Sequence, residues 1–416
     1  DAPCRASGRL ARNGVLLADN AAEIVALLVA EQGKPTWQAE FEVAAAVQWL
    51  EATASLQIPV EVVEDTPAHR VETRHVPLGV VGGISPWNFP VLLSVWKIGP
   101  ALVAGNTLVL KPSPLTPLTV LRLGQLFAAV VPTGVLNVIT GGDALGPLMT
   151  GHPGFDKISF TGSTRTGRAV MRSAAERLTR ITLELGGNDA AIVFPDVDVK
   201  AVAQQLFWSA FTNSGQICVA TKRAYVHDAI YDAFLAELRE IAAQVPMAPG
   251  KEPGAMLGPV QNAAQFARIS ALVEEARLSG LGVIEAGSAP DGPGYFVPVT
   301  LVDNPPDDSR IVQEEQFGPV LPVMRFTGED EVIDRANACE YGLAGTVWTN
   351  DEARALRVAA RLETGTVWIN EALALSPFAV FGGHKQSGMG RENGLSGLLE
   401  YTNSQTVTIR RAAEAG

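Results

Sequence analysis

The chain has 416 residues, 47% hydrophobic and 18% charged, with a formal net charge of -12 and a pI near 5.0. That length allows two or three domains with large cores, and the acidic balance argues against a nucleic-acid or anionic-membrane partner. The cysteines Cys4, Cys218 and Cys339 are few, odd in number and widely scattered, which excludes a disulfide scaffold and suits a reducing, cytoplasmic setting.

The chain opens Asp1-Ala2-Pro3-Cys4, without an initiator Met, a basic-then-apolar leader or an Arg-rich transit pattern, as a fragment would. Residues 20–32 and 40–56 carry apolar positions at three- and four-residue spacing, the helical period. From Pro59 the period changes to two. The runs 60–64 and 70–76, joined through Asp65-Thr66-Pro67, predict a hairpin that is either a projecting arm or an ordinary sheet edge. Residues 80–84 then form a short buried strand running into Ser85-Pro86-Trp87-Asn88-Phe89-Pro90, and the prolines set up a helix from about Val91. Asn88 at this junction is either an N-cap or an amide donor for a developing oxyanion. The most apolar window, 91–110, is interrupted by Lys97, Gly99, Pro100 and Asn106, so it predicts helix then strand and not a membrane span of about twenty residues.

Strands at 106–111, 135–139 and 157–160 alternate with helices at 116–131, 144–150 and 166–176, the pattern of a parallel sheet covered on both faces. Such sheets bind ligands beyond the carboxyl ends of their strands. Lys111 closes one strand and is placed to pair with a ribose or phosphate. Gly162-Ser163-Thr164-Arg165-Thr166-Gly167 follows another strand and opens a helix, as a turn and cap or as a seat for a pyrophosphate at the helix N-terminus. In Arg180-Ile181-Thr182-Leu183-Glu184-Leu185-Gly186-Gly187 the apolar residues share one strand face. Glu184 on the other is either a solvated or ion-paired residue or a desolvated general base. Further helices are predicted at 201–212, 231–244 and 261–279, and a last strand at 405–410.

Asn213-Ser214-Gly215-Gln216-Ile217-Cys218-Val219-Ala220 brings one thiol behind a short polar approach containing glycine. By itself Cys218 is a small buried hydrophobe or a nucleophile. The ordered set Pro86-Trp87-Asn88-Phe89-Pro90, Gly162-Ser163-Thr164 with Gly167, Leu183-Glu184-Leu185-Gly186-Gly187 and Gly215-Gln216-Ile217-Cys218 strongly resembles the NAD(P)-dependent aldehyde dehydrogenase superfamily. Glu314-Glu315-Gln316-Phe317-Gly318-Pro319-Val320 and Phe381-Gly382-Gly383-His384-Lys385-Gln386-Ser387-Gly388 extend the match over nearly the whole chain.

That resemblance implies an α/β fold: a Rossmann-like cofactor domain (1–58 and 78–187), an α/β catalytic domain (188–384) and a small β oligomerisation arm (59–77 and 401–412) joining homodimers or homotetramers. It implies that Cys218 is the nucleophile, Asn88 an oxyanion donor and Glu184 the base. NAD or NADP would lie on Trp87, Lys111, Ser113, Gly162, Ser163, Gly167, Leu185, Glu315 and Phe317, and no metal is implied. The expected reaction oxidises an aldehyde to its acid through a cysteine thiohemiacetal and thioester. The rivals are a coenzyme A-acylating semialdehyde dehydrogenase, which needs no base, and a non-catalytic relative.

The sequence departs from the family pattern in two places. Pro114 stands where many members carry the Glu that binds the adenosine ribose, which leaves NAD against NADP open. Members also carry further residues ahead of a helix such as 20–32. Phe89, Leu93, Trp96, Ile217, Val219 and the loop 373–378 predict an apolar tunnel suited to an uncharged aliphatic or aromatic aldehyde.

Overall fold

The computed structural model describes residues 2–411, with side chains from residue 6, so the side chain of Cys4 and the arm's expected end at 412 lie outside the described residues. Three helices come first: α1 (Ala2–Asp19), α2 (Ala21–Gln32) and α3 (Thr36–Ser55). Sequence periodicity missed α1, which packs on α3 and buries Leu10 and Leu17. At the end of α2, Gly33 takes a left-handed conformation (φ 91°) and its N–H bonds Val29 O, a stop that glycine accommodates without strain.

The predicted hairpin is β1 (Glu61–Asp65) and β2 (His69–Pro77), antiparallel, with a register shift between Val62 and Glu64. Next come β3 (Val80–Ile84), α4 (Pro90–Val103), β4 (Thr107–Lys111), α5 (Leu118–Phe127), β5 (Leu136–Val138), α6 (Leu145–Thr150), β6 (Lys157–Thr161), α7 (Thr164–Ala175) and β7 (Arg180–Glu184). Strands β7-β6-β3-β4-β5 lie side by side and parallel, so their carboxyl ends share one edge.

A second alternation follows: β8 (Asp189–Val193), α8 (Val199–Phe211), β9 (Thr221–His227), α9 (Tyr231–Gln244), α10 (Ala263–Leu278), β10 (Gly282–Glu285), β11 (Thr300–Asp303), α11 (Arg310–Gln313), β12 (Val320–Phe326), α12 (Glu329–Asn337), β13 (Tyr341–Gly342), β14 (Ala344–Trp348), α13 (Glu352–Ala359) and β15 (Thr366–Ile369). Short polar side chains start several of these helices: Asp198, Asn262 and Asp351 each accept a backbone N–H of the first turn. The sheet order is β10-β11-β12-β9-β8-β14-β15, parallel except for β10.

The chain then returns through β16 (His384–Lys385), which pairs with β13, and β17 (Gly388–Met389), which pairs antiparallel with Leu183 and Glu184 of β7. That return was not legible in the sequence, where two residues give no period. After α14 (Gly394–Leu399), β18 (Thr402–Arg410) pairs antiparallel with the whole of β2 and makes a three-stranded sheet with the hairpin. β1 on its open edge is exposed throughout. No single helix among the described residues is long and apolar enough to cross a membrane.

Candidate active site

Cys218 sits on the connection between α8 and β9. Asn213, Ser214 and Gly215 all take left-handed backbone (φ 53°, 54° and 73°), which reverses the chain just ahead of the thiol. Glycine is required at the third place, because a Cβ there would fall 2.2 Å from Gly318 O. The turn is stitched by hydrogen bonds: Ser214 Oγ donates to Gly258 O at 2.7 Å and Gln216 Nε2 to Asn213 O at 2.9 Å. From below, the buried Lys222 Nζ donates to Ile217 O, Cys218 O and Ala220 O at 2.8, 2.7 and 3.2 Å, and lies 3.9 Å from Glu315 Oε1.

Asn88 is not an N-cap. Phe89 occupies the cap position of α4 without a side-chain bond, and the first-turn N–H groups of Val91 and Leu92 go to Glu42 Oε1 on α3 at 2.8 and 3.2 Å. The Asn88 amide instead donates to Gln216 O at 3.0 Å, two residues ahead of Cys218. An amide nitrogen has two protons, so one donor remains.

Glu184 ends β7 and is buried, and among the described residues neither carboxylate oxygen has a hydrogen-bond or ion-pair partner. Burial raises its pKa well above the usual carboxylate range, Glu392 adds to this, and Lys97 and Arg391 oppose it. Lys97 and Glu392 form a buried pair at 3.0 Å, with Lys97 also donating to Thr161 Oγ1 at 2.8 Å and Ser159 donating to Glu392 at 3.1 Å. Sequence reasoning noted Lys97 only as an interruption of an apolar window; a lysine in a helix buried along its whole length was the available signal. Nothing in the sequence pointed to Glu392 or Lys222, whose partners are distant or main-chain.

Cys218, Asn88 and Glu184 line one cavity of about 840 Å³, together with Thr161. Its wall contains the expected Phe89, Leu93, Trp96, Ile217, Val219, Leu373 and Leu375, and adds Trp37, Phe41, Trp49, Trp208 and Phe381, which were not expected in the tunnel. Burial pushes the Cys218 thiol up to about 12; Lys222 pulls it down, while Asp189, Glu315 and Glu184 push it further up.

The other expected site residues fall on the carboxyl edge of the first sheet. Trp87 follows β3, Lys111 ends β4 and Ser113 follows it, Gly162 and Ser163 follow β6, and Leu185 follows β7. Ser163 caps α7 by accepting the Thr166 N–H, and Gly167 leaves room for Leu185, whose Cδ2 would lie 2.4 Å from a Cβ there. Glu315 joins the edge through Gly187 N–H, 3.1 Å from its Oε1, where Gly186 has no Cβ to block it. Phe317 meets Trp87 edge-on at 5.4 Å. Lys111 Nζ has one acceptor among the described residues, Pro112 O at 3.3 Å, and desolvation lowers its pKa. A capped helix N-terminus, a lysine with donors to spare and a carboxylate on a glycine pair fit the phosphates and ribose of a dinucleotide.

The profile of the aldehyde dehydrogenase family matches residues 5–407. A Fusarium aldehyde dehydrogenase, LUC3, is 40% identical over 405 residues, covering 97% of this chain and 86% of its own. Among solved structures, the NAD+ complex of a Bacillus cereus aldehyde dehydrogenase superposes with a TM-score of 0.96 at 36% identity, covering 99% of this chain and 84% of that one. Betaine aldehyde dehydrogenase from Staphylococcus aureus with NAD+ gives 0.95 at 34% identity, covering 98% and 83%. A thiol on a reversed turn and a buried glutamate lining the same cavity agree with these likenesses, and the chain belongs to the aldehyde dehydrogenase family.

Proposed function

We propose that this chain oxidises uncharged, bulky aldehydes to carboxylic acids with NAD or NADP. The observation that carries the reading is that Cys218, Asn88 and Glu184 line one largely apolar cavity. Cys218 releases its proton to solvent, the resulting thiolate Sγ attacks the aldehyde carbon, and the carbonyl oxygen becomes an oxyanion held by the Asn88 amide and the Cys218 N–H. A nicotinamide ring, when bound, would supply the hydride acceptor needed for the cysteine thiohemiacetal to become a thioester. Glu184 then takes a proton from water, the water oxygen attacks the thioester carbon, and the acid leaves as the Cys218 thiolate is restored. Because its carboxylate is desolvated, Glu184 is a stronger base than an exposed one. Resolution by coenzyme A would have no use for that base.

Glu315 would hold the nicotinamide ribose, Trp87 and Phe317 the nicotinamide side, and Lys111, Ser113, Gly162, Ser163, Gly167 and Leu185 the remainder. Residues 1–58 and 78–187 make the cofactor domain, 188–384 the catalytic domain, and 59–77 with 401–412 the arm of a cytoplasmic homodimer or homotetramer. The exposed β1 edge supports the last reading. The test is absorbance of reduced nicotinamide with a panel of aliphatic and aromatic aldehydes, NAD and NADP in separate wells. Turnover is expected with long or aromatic aldehydes and none with the Cys218→Ala variant; cofactor binding without turnover across the panel overturns the reading.

A further inference from the structure

Lys34 and Glu42 form an ion pair at 2.5 Å whose side chains are 0% exposed. Burying both charges costs more than their attraction returns unless their remaining hydrogen-bonding capacity is used, and well-packed apolar residues would serve stability at least as well. Here that capacity converges on the segment carrying Asn88. Lys34 Nζ donates to Asn88 O at 2.9 Å and lies 3.8 Å from the centre of the Phe89 ring. Glu42 Oε1 accepts from Val91 and Leu92, which supplies from another helix the cap that α4 lacks. Asn213 Nδ2 reaches the same Asn88 oxygen at 3.3 Å, so the lysine and the nucleophile turn hold one carbonyl between them.

We propose that Lys34 and Glu42 are positioning residues for the oxyanion donor. They fix the Asn88 backbone from beneath, so that its amide, bonded to Gln216 O, keeps its second N–H available to the cavity beside Cys218. Among the described residues, the polar contacts that the pair makes outside itself are with the Asn88 carbonyl, the Phe89 ring and the start of α4, so the route from the pair to the reaction runs through the segment carrying Asn88. The proposal rests on the reading of Asn88 as the oxyanion donor.

The test is a double-mutant cycle read on hydrolysis of p-nitrophenyl acetate, which needs Cys218 and the oxyanion site but no cofactor. Lys34→Met is expected to lower kcat about tenfold to a hundredfold while KM changes little, the pattern of a lost transition-state contact. In the Asn88→Ala background the same substitution is expected to lower kcat by less than about twofold. An equal loss in both backgrounds overturns the positioning role; Asn88→Ala with an unchanged kcat overturns instead the reading it rests on. Should Lys34→Met leave Glu42 stranded and the chain unfolded, Lys34→Met/Glu42→Leu removes both charges. This variant also loses the acceptor at the start of α4, so it is expected to fold with a somewhat lower Tm and still lose kcat, and a folded variant with the parent kcat overturns the proposal.

Discussion

The turn that carries Cys218 and the strand end that carries Glu184 open into one cavity, yet they are built in opposite ways. Around Cys218 the backbone is unusual: a run of left-handed residues is locked by hydrogen bonds to Gly258, Asn213 and Lys222. Around Glu184 the backbone is regular strand, paired parallel with β6 and antiparallel with β17, and the unusual feature is a side chain with no hydrogen-bond partner among the described residues. The nucleophile therefore depends on where the main chain places it, and the base on what its surroundings withhold from it. Each of the following experiments damages one side of that contrast.

The largest effect is expected on the nucleophile. Cys218→Ala should reduce aldehyde oxidation at least about 10⁴-fold, since no other thiol among those described lines the cavity. Cofactor binding, followed by fluorescence quenching, should persist because the dinucleotide edge is left intact. A variant with appreciable turnover would remove Cys218 from its role.

Next, Glu184→Gln keeps the shape of the strand end and removes the base. The first equivalent of reduced nicotinamide should still appear in a rapid burst, while the steady rate falls about 10²- to 10⁴-fold because thioester hydrolysis has lost its proton acceptor. A variant with a normal steady rate would make the buried carboxylate a structural oddity.

On the side of the turn, Gly215→Ala leaves all chemical groups in place but cannot keep the backbone. A Cβ would collide with Gly318 O, and φ of 73° is unfavourable for alanine. Stability should fall by about 1–3 kcal/mol in thermal unfolding, and kcat should fall with it as the thiol shifts. An active, fully stable variant would show that placement of the sulfur tolerates a different turn.

How much of this was legible in the sequence follows the same division. The β/α alternation, the tunnel residues Phe89, Leu93 and Trp96, and the glycines at 162, 167 and 215 leave local traces, because period and glycine placement are written in neighbouring residues. The alternatives at Asn88 and Glu184 could not be separated that way. Whether Asn88 caps a helix depends on Glu42, 46 positions earlier by subtraction of their numbers, and whether Glu184 is paired depends on the fold returning Glu392 to take up Lys97. Helix α1, the short β17 and the support from Lys222 were missed for a related reason: their meaning lies in partners remote in sequence or in main-chain atoms.

The smallest effect tests the two sides together through the thiol's proton. With Cys218 pushed up to about 12, the thiolate fraction rises about tenfold per pH unit throughout the accessible range, so alkylation by iodoacetamide should climb log-linearly from pH 7 to 10 without a plateau. Lys222 is the cation that lowers this pKa; Lys222→Met should raise it and slow alkylation at any fixed pH by about tenfold for each unit gained. The same change strips the donor from three carbonyls, which should lower stability by about 1–3 kcal/mol. Glu184→Gln acts oppositely, because removing a nearby carboxylate lets the thiolate form more readily and slightly quickens alkylation at alkaline pH. Opposite shifts would tie both residues to one titrating sulfur. A plateau near pH 8, or shifts in the same direction, would mean that the charge felt by Cys218 comes from elsewhere, and that the contrast between a placed nucleophile and a deprived base does not hold.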